Sequence, residues 1–127
     1  MNNELEKIKE IVANNPGYHL DAYLFVLSAI NYVYMKLKKK RHISGRELLE
    51  GIRTFGSELY GRLAPEVFQH WGVRETIDFG KIVFTLVNHG ILSKQDGDSL
   101  EEFRDVYKFD DVFVRDYEVV PKKLTKL

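Results

Sequence analysis

The stretch HLDAYLFVLSAINYVYMKLKK, residues 19–39, decides the fold of this chain. Apolar side chains occupy most of its positions, so a helix built from it is apolar on most of its circumference. Such a helix lies in the centre of a core or is covered by a partner. The sequence therefore predicts a central core helix from about His19 to Lys39, with a homodimer seam along the same helix as the alternative.

A membrane span is a third interpretation of this stretch. A span needs about 20 predominantly apolar residues. Polar side chains interrupt the stretch at four positions, namely Asp21, Ser28, Asn31 and Lys36. We therefore expect no membrane insertion.

Four shorter helices are predicted around the long one. The first runs from about Asn3 to Ala13, the third starts at Ser44, the fourth opens at Ala64-Pro65, and the fifth runs from about Thr76 to His89. We expect a mainly α fold, a single-domain bundle of about five helices over residues 1–118, with a flexible C-terminal tail over 119–127. The chain has 127 residues, which is the size of one domain.

Local signals mark several helix ends. Ser44 followed by Glu47 forms a capping-box pattern. Thr76 is expected to cap the fifth helix and Gly90 to end it. Gly51 in the third helix either weakens that helix or permits close packing of a neighbour. The apolar face predicted for the third helix comprises Leu48, Leu49, Ile52, Phe55 and Leu59.

The pattern after Gly90 allows a second architecture. Residues 91–94 have the pattern of a short strand, residues 95–98 that of a turn, and Ser99 with Glu102 repeats the capping-box spacing. With helices three to five, this order is winged-helix-like with a short β hairpin after residue 90. The aromatic and β-branched residues from Phe103 to Phe113 are expected to lie as an irregular segment across the helices.

Charge is balanced overall and uneven locally. The chain has 19 basic and 19 acidic residues, which argues against a dedicated nucleic-acid binder. Five cations fall within residues 36–41, and the basic corner is defined here as Lys38, Lys39, Lys40, Arg41 and His42. Residues 95–118 hold nine acids and three bases. These two segments are the predicted binding surfaces for a partner. For the basic corner there is an alternative explanation, because cations at the C-terminus of a helix interact favourably with its dipole.

Catalytic and metal-binding patterns are missing from the sequence. It has no cysteine, and its four histidines, His19, His42, His70 and His89, lack the spacing of a zinc helix. The Asp96-Gly97-Asp98 turn does not continue as a calcium loop. We expect no cofactor and no metal. The sequence does not decide whether the protein is an enzyme, although the missing patterns argue against catalysis.

Several segments resemble one known family. They are HISGRELLEGIR at 42–53, HWGV at 70–73, DFG at 78–80, GILSK at 90–94 and FRDVY at 103–107. Over most of its length the chain resembles small conserved-hypothetical proteins found largely in planctomycete and verrucomicrobial bacteria. The resemblance implies no activity and no site residues.

The function expected from the sequence is a non-catalytic protein-interaction or regulatory module. Its partner is expected to be a protein, with a homodimer through the second helix as one form. A winged-helix-like, nucleic-acid-associated protein is the alternative, disfavoured because the outward positions of the fifth helix include one lysine and two acids. The N-terminus has no basic segment followed by an apolar run, so we expect a cytoplasmic location.

Overall fold

Five α-helices make up most of the chain in the computed structural model, which describes residues 3–39, 41–93 and 98–116. They are α1 (Asn3–Asn14), α2 (Leu20–Leu37), α3 (Gly45–Tyr60), α4 (Ala64–His70) and α5 (Thr76–Asn88). A 3-10 turn, Gly61–Leu63, joins α3 to α4. A second 3-10 turn, Leu100–Phe103, and a short π-helix, Asp110–Arg115, follow α5. The prediction of a mainly α fold is confirmed.

The predicted β hairpin after residue 90 is not supported. Ile91 and Leu92 form a bend at the end of α5, and no strand occurs within the ranges given above. Gly90 ends α5 with a φ of 77°, and the N–H groups of Ile91 and Leu92 donate back to the carbonyl of Leu86. These two residues are therefore held in a helix cap. Outside the described part lie residue 94 of the predicted strand, residues 95–97 of the predicted turn, and the tail 119–127.

Helix α2 is the central element, as the apolar pattern predicts. Its inner face is buried against the other helices and consists of Ala22, Tyr23, Phe25, Val26, Ala29 and Val33. The ring of Phe25 lies 5.3 Å from the rings of both Phe68 and Trp71. Trp71 is thus a core residue. The helix ends when Lys38 takes a left-handed conformation, with a φ of 61°.

Helix α3 starts where the capping box predicts. The Ser44 hydroxyl accepts from the N–H of Glu47 at 3.1 Å, and the Glu47 carboxylate accepts from the N–H of Ser44 at 2.9 Å. At Gly51 a Cβ atom would lie 2.3 Å from Val33 Cγ2, so this glycine allows α2 and α3 to approach closely. Leu59 was predicted to belong to the apolar face of this helix, but in the structure it does not pack on the inner face. It lies in the last turn of α3 and is 52% exposed.

The cap of α5 differs from the prediction. The residue at the N-cap of α5 is Glu75 rather than Thr76. Asp78, the third residue of the helix, accepts from the N–H groups of Arg74 at 2.8 Å and Glu75 at 3.0 Å. Tyr18 donates to the same carboxylate at 2.5 Å. Burial and this hydrogen bond raise the pKa of Tyr18.

The segment after α5 lies across the helices, as expected. Phe103 packs between α3 and α5, where Gly45 and Gly80 face its ring: a Cβ atom on either glycine would approach the phenylalanine to within 2.7 Å. Thr76 is fully buried, and its hydroxyl donates to the Phe103 carbonyl at 2.6 Å and accepts from the N–H of Val106 at 3.2 Å. The segment is thereby fixed to the start of α5.

Candidate functional site

Two residues of the basic corner, Arg41 and His42, make internal contacts. Arg41 forms two hydrogen bonds with the Glu47 carboxylate, at 2.7 and 3.2 Å, and a third with the carbonyl of His42 at 2.7 Å. His42 Nε2 lies 2.9 Å from Asp98 Oδ1. Lys38 and Lys39 are exposed at the end of α2, and Lys40 lies outside the described residues.

The Arg41–Glu47 pair has an electrostatic consequence. The hydrogen bond from Arg41, followed by that from the Ser44 N–H, lowers the pKa of Glu47 to about 2. The carboxylate therefore stays ionised and holds both the arginine and the start of α3. Arg41 thus tethers the loop between α2 and α3.

A cavity of about 360 Å³ opens beside His42. The end of α2, the start of α3, the end of α5 and the following segment surround it. Its apolar wall is formed by Ile30, Leu48, Val83, Phe84, Val87, Leu92 and Phe103. Its polar lining is formed by Tyr34, His42, Ser44, Ser93, Asp98 and Glu102, and Ile43 and Gly45 complete the lining.

Glu102 defines the polar end of this cavity. Its Oε1 accepts from the N–H of Gly45, the first residue of α3, at 3.2 Å. Arg46 Nε donates to the main-chain carbonyl of Glu102 at 3.2 Å. The sequence assigned Glu102 to a capping box with Ser99. In the structure Ser99 accepts from the N–H of Glu101 instead, and the Glu102 carboxylate contacts a different helix.

The remaining histidines are distributed over the surface. The rings of His19 and His70 lie 5.3 Å apart, although the two residues are 51 positions apart in the sequence. His89 Nδ1 lies 2.9 Å from the carbonyl of Thr85 at the end of α5. Within the described ranges no group of three or more histidines and acids is arranged to hold a metal ion. Asp98, the last residue of the turn predicted at residues 95–98, pairs with His42.

The acidic C-terminal segment is partly neutralised by its own arginines. Glu101 pairs with Arg104, and Asp111 pairs with Arg115. Asp105 has a φ of 49° and, with Asp110 and Asp111, lines a cleft that also includes the cations Arg74 and Lys108. With Glu75, four acids and two cations among the described residues line the cleft, so acids predominate there although Asp111 is paired with Arg115.

A second surface, the outer face, lies along α2 and α3 on the side away from the core. We define it by Leu24, Ser28, Asn31, Met35, Phe55 and Leu59. Met35 is 70% exposed and Leu59 is 52% exposed. Asp21 and Lys36 lie near its two ends, and both are exposed. The sequence indicated an uncovered side of α2 but did not predict that Leu59 belongs to it.

No protein-family model, curated protein or solved structure shows significant similarity to the chain. Among the helices described, none combines the length and the apolar character that crossing a membrane requires.

Proposed function

We propose that this chain is a non-catalytic protein-interaction module that pairs with a second copy of itself through the outer face. The observation that carries the proposal is the exposure of Met35, at 70%, and of Leu59, at 52%. They line two adjoining hollows of the outer face, which share Leu24, Ser28 and Phe55. Contiguous apolar surface on a folded domain is typical of protein–protein contacts.

The charges at the ends of the outer face favour a second copy as the partner. Asp21 and Lys36 are 15 positions apart on α2, which corresponds to about 22 Å along the helix axis. An antiparallel pair of α2 helices, related by a two-fold axis near Ser28, brings each Asp21 towards the other copy's Lys36. Ser28 is small and exposed, so two helices can approach closely at the axis. Two-fold pairing of one surface with itself is the commonest form of oligomer.

The oligomeric state tests this proposal. Sedimentation equilibrium of the wild-type chain is expected to show a monomer–dimer equilibrium, and Met35→Glu is expected to shift it to monomer. Leu63→Glu is the matched control, since Leu63 is 60% exposed but lies outside the outer face. A wild-type chain that stays monomeric at millimolar concentration, or equal effects of the two variants, would refute the proposal.

Charge reversal tests the antiparallel orientation separately. Asp21→Lys and Lys36→Asp are each expected to weaken the dimer, and the double variant to restore it. A double variant weaker than either single variant argues against the two-fold arrangement about Ser28.

Nucleic-acid association is the alternative function, and two observations weigh against it. Helix α5 exposes Lys81, and the exposed acid Glu75 immediately precedes the helix. A phosphate backbone is bound through lysine and arginine. In the basic corner Arg41 is paired with Glu47, so among the described residues Lys38 and Lys39 are the lysines that it offers to a phosphate. A gel-shift assay at low salt distinguishes the two: steep loss of binding with salt favours nucleic acid, whereas apolar pairing persists at high salt.

Membership of the planctomycete and verrucomicrobial family is likewise a proposal. It rests on the resemblance of segments such as residues 42–53, and it assigns no activity.

A further inference from the structure

The cavity beside His42 has the size and the chemistry of a small-molecule site. Its volume of about 360 Å³ falls within the usual range of ligand pockets, about 300–1,000 Å³. Such pockets combine an apolar wall with a few polar groups that fix the orientation of the ligand. Here Ile30, Phe84 and Val87 contribute to the wall, and the ionisable groups lie at the α3 end. The ligand that fits has an apolar body and one polar head.

The charge of the lining selects the head group. Among the described residues that line the cavity, the acids are Asp98 and Glu102 and the imidazole is that of His42. With both carboxylates ionised, these three described residues together carry a charge of −1 when the imidazole is protonated and −2 when it is neutral. A cationic head is attracted under either condition, and an anionic head is repelled.

The amino-terminal end of α3 does not reverse this preference. Helix N-termini favour anions. The carboxylate of Glu102 already occupies that position, where it accepts from the N–H of Gly45 at 3.2 Å. The neighbouring cations Arg41 and Arg46 do not line the cavity: Arg41 is held by Glu47, and Arg46 donates to the main-chain carbonyl of Glu102.

We propose that this cavity binds a small organic amine. Its ammonium group donates to the carboxylates of Asp98 and Glu102, and its aliphatic or aromatic part packs against Ile30, Phe84 and Val87. Hydrogen bonds between two charged groups are the stronger kind, so the head supplies specificity while the apolar part supplies burial. The site is separate from the outer face, so the proposal does not depend on dimer formation.

Three phenylalkyl compounds of similar size separate the effect of charge from that of shape. Phenethylamine, 2-phenylethanol and 3-phenylpropionate are titrated into the full chain, and binding is followed by amide chemical shifts. We expect saturable binding of phenethylamine with shifts at His42, Gly45 and Asp98. The alcohol binds more weakly, and the carboxylate binds at least about tenfold more weakly than the amine, equivalent to about 1.4 kcal/mol. Equal affinities, or no saturable binding of the amine at millimolar concentration, overturn the proposal.

A variant pair locates the head group. Glu102→Gln is expected to weaken binding of phenethylamine about tenfold and to leave 2-phenylethanol unchanged, since a neutral amide replaces the carboxylate. Glu101→Gln is the control, because Glu101 is an exposed neighbour that pairs with Arg104 and does not line the cavity. An equal loss in both variants, or no loss in Glu102→Gln, contradicts the assignment. If Glu102→Gln does not fold, the comparison of amine with carboxylate on the wild-type chain still decides the outcome.

Discussion

Thr76→Val removes one hydroxyl from the interior while nearly preserving the shape of the side chain. Thr76 is fully buried in the interior of the protein. Its hydroxyl joins the start of α5 to the segment that carries Phe103 and Val106. The substitution therefore tests whether this single contact holds the C-terminal segment in place.

The magnitude follows from the two groups that lose a partner. The carbonyl of Phe103 and the N–H of Val106 both bond to the Thr76 hydroxyl, and a buried group left unsatisfied costs about 1–3 kcal/mol. Val106 is half-buried, so water relieves part of its loss. We expect Thr76→Val to lower the free energy of unfolding by about 2–4 kcal/mol.

Urea denaturation followed by circular dichroism measures this change, with two controls. Thr76→Ser keeps the hydroxyl and loses one methyl group, at a cost of about 1 kcal/mol. Thr85→Val is the same substitution on the same helix, where the hydroxyl donates to the Lys81 carbonyl on the helix surface, and it is expected to change stability by less than about 0.5 kcal/mol. The reasoning fails if Thr76→Val is no more destabilising than Thr76→Ser.

Two further predictions concern packing and pH. Gly80→Ala places a Cβ atom 2.6 Å from Phe103 Cγ, so we expect a loss of about 1–2 kcal/mol in the free energy of unfolding despite the better helix propensity of alanine. Glu47→Gln should flatten the acid branch of the stability–pH curve. Because folding lowers the pKa of Glu47 to about 2, its contribution is complete above the ordinary value of about 4.3 and is lost as the pH falls towards 2. Since Glu47 and Arg41 are both partly exposed, solvent screening keeps this contribution below about 1 kcal/mol.

The two predictions have separate controls in denaturant titrations. Gly17→Ala is expected to be nearly neutral, since no atom lies within 4 Å of its new Cβ. A neutral Gly80→Ala would mean that Phe103 moves aside freely. For the pH prediction the control is Glu50→Gln, which removes the same charge at another position on the surface of α3. Identical acid branches for wild type and Glu47→Gln would show that the pair with Arg41 does not hold in solution.

Much of the fold is encoded in signals that span a few residues. The apolar run of α2, the capping box of Ser44 with Glu47 and the helix-ending Gly90 all act within one or two helical turns, so the sequence alone predicts five helices close to their observed bounds. For Gly51 the sequence allows two interpretations: the glycine either weakens α3 or lets a neighbouring helix pack closely against it. The structure decides for close packing, because Val33 on α2 occupies the space that a side chain would need.

The predicted hairpin after residue 90 is not supported, because the pattern behind it fits two conformations. Residues 91–94 have a short apolar pattern that a strand and a helix cap share, and periodicity cannot separate the two. The bonds from Ile91 and Leu92 back to Leu86 settle the conformation as a cap. Thr76 was likewise assigned to a cap, whereas its hydroxyl bonds to residues about 30 positions later in the chain.

The candidate site shows most clearly which features the sequence determines and which depend on the tertiary structure. The sequence by itself singled out His42 within the basic corner, and it also determined the chain's balanced charge and its lack of cysteine. Only the tertiary structure decided that His42 meets Asp98, that Glu102 meets Gly45, and that both carboxylates line one cavity. The residues of each pair are more than 50 positions apart. Helix propensity and capping are local energies that a sequence pattern records, whereas the meeting of distant side chains depends on how the helices pack.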